Sequence, residues 1–110
     1  MTTTPRKLLT VVVESAIERL VLEELESAGV RGCTIVEARG FGDHGPRQGD
    51  WDQSRSVRIE TVCTAALAES LAEHLLDRWS KDYALVLWLQ DVDVLRGSKF
   101  DRTREAVDEI

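Results

Sequence analysis

Short β-branched runs alternate along this chain with stripes of apolar residues spaced by three and four. Lys7-Leu-Leu-Thr-Val-Val-Val13 is too short to give a helix two packed turns and reads as a buried strand. Ser15 and Glu18 then stand at the S-x-x-E spacing, in which hydroxyl and carboxylate each satisfy an orphan backbone N–H, so a capping box and a helix start are expected there. Ile17, Leu20, Val21, Leu25 and Ala28 form its apolar stripe, and Gly29 supplies a left-handed stop.

Cys33 to Arg39 reads as a second strand. Ser56 to Cys63 reads as a third, with Val57, Ile59, Thr61 and Cys63 alternating against Arg58 and Glu60. Thr64 is placed to cap a second helix, whose stripe of Leu67, Ala68, Leu71, Ala72, Leu75, Leu76 and Trp79 runs to about Lys81. A fourth strand follows from Ala84 to about Leu95, and the charged stretch 101–110 reads as a tail.

The order β-α-β-β-α-β predicts an α+β, ferredoxin-like domain over 1–100: a four-stranded antiparallel sheet with two helices on one face. Two helices cover only one face of such a sheet. Strand four is apolar at both parities, with Leu85, Leu87 and Leu89 against Trp88, Val92 and Val94. The uncovered face is therefore expected to meet another copy of the chain.

Length and charge narrow the partners. One core of modest size is what 110 residues can bury, so a single domain is expected. Apolar residues at 43% and charged residues at 31% argue against disorder. A net charge of -6 repels a phosphate backbone, which disfavours nucleic acid. The apolar run Ala84 to Leu89 is far too short for a membrane span, and the N-terminus has no signal-peptide core, so a cytoplasmic protein without membrane insertion is expected. Two cysteines fit a reducing compartment. If Gly40 stands opposite Ser56 in the hairpin, the same register sets Cys33 opposite Cys63 and permits a cross-strand disulfide.

No nucleophile, metal-spacing or phosphate-cradle motif occurs, so neither catalytic nor metal-binding residues are assigned and no enzyme is expected. The chemistry must come from another feature. The connection from Phe41 to Arg55 is far longer than a hairpin needs and holds Gly42, Gly45, Gly49 and Pro46.

Just before it, Gly29, Gly32, Thr34, Glu37, Gly40, Phe41 and Gly42 keep a Gly-x-x-Gly-x-Thr and Glu-x-x-Gly-Phe-Gly spacing. Together with Val57-Arg-Ile-Glu60, this resembles the PII signal-transduction family, in which the same stretch leads into the T-loop. The chain lacks that family's Gly-rich loop before strand four, having Ser80-Lys-Asp-Tyr83, and its connection has no tyrosine. It is therefore most similar to the PII-like branch linked to bicarbonate transport and carboxysomes, although it has no paired-cysteine tail.

The resemblance implies a homotrimer that binds adenine nucleotides (AMP, ADP or ATP) in clefts between subunits. On it, Thr34 falls at the adenine contact, with backbone near Val36 and Val62 reading the base. Gly40, Phe41 and Gly42 lie by the phosphates, where missing side chains let amides approach an anion. Arg96 matches a phosphate-binding arginine, and Lys81 stands in for the missing glycine-rich loop. Arg58 is counted with this set, though it reads equally as a solvated cross-strand partner. In the connection, His44, Arg47, Trp51 and Arg55 are candidates for anion or partner contacts.

Ordering fifteen residues costs more than one phosphate contact returns, so a second small anion is expected to help; the resemblance makes it bicarbonate. It also implies a partner such as a bicarbonate transporter or a carboxysome-related protein. Two other readings stay open: a ferredoxin-like trimeric binding or assembly module without nucleotide, and a sensor of a small organic anion.

Overall fold

The computed structural model describes residues 1–41 and 55–100. Strand β1 (Thr4–Glu14) passes through a 3-10 turn, Ser15–Ile17, into helix α1 (Glu18–Ala28). Strands β2 (Thr34–Arg39) and β3 (Arg55–Cys63), helix α2 (Ala65–Trp79), strand β4 (Leu85–Val94) and a 3-10 turn at Gly97–Phe100 follow. The strands form one antiparallel sheet in the order β2-β3-β1-β4. This is the expected β-α-β-β-α-β architecture.

Period-two burial decides which side the helices take. Leu9, Val11 and Val13 of β1 are almost fully buried, as are Val57 and Ile59 of β3, and they pack with Ile17, Val21 and Leu25 and with Leu71, Ala72 and Leu75. Leu85, Leu87 and Leu89 of β4 complete this face. The opposite parity carries Leu8, Thr10 and Val12 of β1 beside Arg58, Glu60 and Val62 of β3, and beside Val86, Trp88 and Gln90 of β4. Neither α1 nor α2 lies over these residues. Val86 and Trp88 remain 58% and 38% exposed there, an apolar surface without cover among the described residues.

Most local signals act as read. Gly29 takes φ 93, and its N–H reaches Glu26 O while that of Val30 reaches Leu25 O, closing α1 in a left-handed turn. The Thr64 hydroxyl accepts the Leu67 N–H at 3.4 Å and caps α2.

The capping box does not form. Ser15 lies inside the 3-10 turn, and the residue preceding α1 is Ile17, whose side chain has no acceptor. The 3-10 turn thus moves the cap from Ser15 to Ile17. Just before it, the Glu14 carboxylate crosses to accept the Ala84 N–H at 2.5 Å, which ties the end of β1 to the start of β4. Leu20 and Leu76 also depart from the expected stripes, being 38% and 44% exposed. Helix α2 ends at Trp79, two residues short of Lys81, because the turn to β4 begins there.

The hairpin register is corrected as well. Ala38, not Gly40, stands opposite Ser56, and Arg39 faces Arg55. Extending this ladder by one residue sets Cys33 opposite Thr61, while Cys63 lies beside Lys7 of β1. The Thr61 hydroxyl donates to Gly32 O at 2.7 Å, fixing the approach to β2. Both cysteines are free thiols, Cys33 exposed and Cys63 buried.

Candidate functional site

The ladder between β2 and β3 sets Thr34 opposite Glu60 and Val36 opposite Arg58. These residues and Val62 therefore share the helix-free face, the first group that the sequence singled out. Thr34 and Val36 are exposed, since neither helix covers this face and β2 is an edge strand. Arg58 is already engaged: its guanidinium lies 2.9 Å from Glu60 Oε2 and 6.0 Å from the Trp88 ring centroid. It thus reaches along β3 to Glu60 and across β1 towards Trp88 of β4.

A second group gathers at one end of the sheet. Gly40 and Phe41 follow the last residue of β2, and Phe41 is 90% exposed. A Cβ at Gly40 would meet nothing within 4 Å, so the absent side chain leaves open space there. Arg55 begins β3 at the same end. Lys81 joins them by topology: Ser56 is opposite Glu14, and Glu14 holds Ala84, just beyond the turn that carries Lys81.

That turn is firmly held. Tyr83 N–H donates to Trp79 O at 3.1 Å, and the two rings meet edge to face at 5.8 Å. Trp79 is anchored in turn by Glu24 of α1. The Glu24 carboxylate accepts from Trp79 Nε1 at 2.6 Å and Arg78 Nε at 2.8 Å, and lies 3.2 Å from His74 Nε2. No signal in the sequence paired Glu24 with Trp79, because the contact spans 55 residues.

Arg96 stands apart from both groups. It follows β4 at the end where Val94 faces Thr4, the first residue of β1. The Gly97 Cα presses on Thr4 so closely that a Cβ would lie 2.6 Å from its hydroxyl. Gly40 and Lys81 lie beyond the other end of β1, so roughly 33 Å of strand separates Arg96 from them at about 3.3 Å per residue. Gly42, His44, Arg47 and Trp51 lie outside the described residues. Arg39 is a cation the sequence reading left out; the observed register pairs it with Arg55.

Electrostatics add two perturbed groups. Burial pushes the Cys63 thiol up to about 11. The Lys7 ammonium is raised by its hydrogen bond to Asp91, 2.6 Å away. Among the described residues, no three His, Cys, Asp or Glu side chains cluster to hold a metal ion. Nor is any described helix long and apolar enough to cross a membrane.

Comparison with known proteins agrees with this geometry. Residues 6–99 match the family model of the nitrogen regulatory protein P-II. A crystal structure of a PII-like signalling protein from Thermus thermophilus is 35% identical, with a TM-score of 0.77 over 91% of this chain and 99% of that one. CPII, a nitrogen regulatory PII-like protein from Thiomonas intermedia, bound to ADP, AMP and bicarbonate, is 26% identical, with a TM-score of 0.78 over 92% and 98%. The same protein bound to ADP and bicarbonate matches at 28% identity and a TM-score of 0.77 over 90% and 97%.

Proposed function

Because the chain belongs to the nitrogen regulatory protein P-II family, we propose that it is a non-enzymatic regulator that binds an adenine nucleotide between neighbouring copies in a homotrimer. The observation that carries this reading is the placement of Arg96. A phosphate cannot touch Arg96 and the Gly40 end of the same chain, since the length of β1 lies between them. A neighbouring copy packed on the helix-free face brings its own Arg96 to that end. The base then lies along Thr34, Val36 and Val62, and the phosphates reach Gly40, Phe41, Gly42 and Lys81 of one chain and Arg96 of the next.

Bicarbonate is the second ligand in this reading, supported by its presence beside ADP in CPII. It acts at the base of the connection from Phe41 to Arg55, whose His44, Arg47, Trp51 and Arg55 serve anion or partner contacts. The output goes to a protein partner in inorganic-carbon handling, of the transporter or carboxysome kind, in the cytoplasm. The domain spans 1–100 and the tail 101–110 lies outside it.

Calorimetric titration with AMP, ADP, ATP and cyclic AMP tests adenine recognition. Saturable binding of at least one, together with a trimer mass by light scattering, is the expected result. A trimer that binds none of them would favour the assembly module instead.

A further inference from the structure

The turn 80–83, which carries Lys81, contains no glycine, and two carboxylates from distant parts of the chain hold it from either end. At its far end Glu14 grips Ala84 twice. The Ala84 N–H donates to the Glu14 carboxylate at 2.5 Å, and the Ala84 carbonyl accepts the Glu14 N–H at 3.4 Å. At its near end the turn closes on Trp79, whose carbonyl accepts the Asp82 and Tyr83 N–H groups at 3.3 and 3.1 Å. The Trp79 indole is fixed in turn. Its Nε1 donates to Glu24 at 2.6 Å, the Arg78 guanidinium lies 5.0 Å over the ring, and Tyr83 packs on it edge to face. Glu24 is itself mostly buried, which strengthens its hydrogen bonds.

A lysine is a point charge on a flexible stem, so the backbone beneath it decides where the charge is offered. Ordering four backbones at the moment of binding would cost more than one charged hydrogen bond to phosphate returns. A turn already held in shape avoids that cost. We infer that Glu14 and Glu24 are positioning residues that fix the turn 80–83 before nucleotide arrives and so present Lys81 to a phosphate. The inference rests on the preceding reading for its ligand, ADP, and on the hydrogen bonds above for the turn.

Two measurements on the full chain test it. Without nucleotide, hydrogen exchange at the Asp82 and Tyr83 amides is slow in the wild type. It is about tenfold faster in Glu24→Leu and in Glu14→Ala, while the amides of β1 and β3 stay protected. In calorimetry, Glu24→Leu weakens ADP about tenfold, the scale of one charged hydrogen bond, and leaves adenosine unchanged. Lys81→Ala does the same, and adding Glu24→Leu to it costs nothing further, because Glu24 acts through Lys81. Glu24→Gln, whose amide oxygen still accepts from Trp79 Nε1, recovers most of both effects. Should Glu24→Leu not fold, Trp79→Phe takes its place, since it deletes the Nε1 donor and keeps a ring for Tyr83. Unchanged exchange in the variants, equal losses for ADP and adenosine, or losses that add in the double variant would each overturn the positioning role. A wild type that binds no ADP would instead defeat the nucleotide reading, and the exchange measurement alone would then decide what holds the turn.

Discussion

Arg96 and Gly40 lie beyond opposite ends of the same sheet, one after Val94 opposite Thr4, the other after Arg39 opposite Arg55. A site that uses both must draw them from two chains. Mixed oligomers therefore behave differently from pure ones. Arg96→Ala and Gly40→Val each weaken nucleotide binding alone, but unfolding and refolding them together restores some sites of wild-type affinity. ADP titration of the refolded mixture checks this; no recovery would place both residues in one chain's site.

Arg96→Ala is expected to weaken ADP by about 2 kcal/mol, roughly thirtyfold, the scale of a charged hydrogen bond plus an unpaired anion. Adenosine, which has no phosphate, loses much less. Parallel calorimetry with the two ligands makes the comparison, and equal losses would remove Arg96 from the phosphate contact.

Gly40→Val separates folding from binding. Nothing lies within 4 Å of a Cβ at Gly40, so the side chain meets no obstacle in the single chain. Its Tm should match the wild type while nucleotide affinity falls. A fall in Tm with unchanged affinity would assign Gly40 to the fold alone.

Cys63 sets a pH dependence whose sign follows from burial. Its folded value, about 11, lies above the ordinary 9.0, so the folded chain holds the proton longer than the unfolded one. The contribution is fully present below about pH 9 and is lost as pH rises towards 11. Denaturant midpoints across that window should fall in the wild type and fall less in Cys63→Ala. At neutral pH a thiol reagent should label Cys33 in the folded chain and Cys63 only after unfolding.

The elements were legible where the signal was local. Alternation gave β3, the three-four stripe gave both helices, and Gly29 and Thr64 ended and began them as read. The S-x-x-E box failed because the chain enters α1 through a 3-10 turn over Ser15–Ile17, which sets Ile17 rather than Ser15 before the helix. The hairpin register was missed by two residues because a connection as long as 42–54 leaves pairing unspecified by turn geometry. That slip kept every residue on its correct face, since the side-chain period is two, but it misplaced the cysteine pair and concealed Arg39 opposite Arg55. The residues proposed to face the adenine were named from the family's glycine frame, and the ladder puts Thr34, Val36 and Val62 on one face.

Trp88→Asp tests the uncovered face. Trp88 lies opposite Thr10 on the edge strand β4, with the Arg58 guanidinium 6.0 Å from its ring. A carboxylate buried there on assembly costs several kcal/mol. Light scattering should report a folded monomer, whereas Leu20→Asp, on the exposed side of α1, should leave the mass unchanged.

ADP titration of that monomer is the most direct measurement of a site shared between copies. The wild type should take up one ADP per chain, and folded Trp88→Asp should bind none at the same concentrations. A monomer that binds ADP as tightly as the wild type would contradict the account.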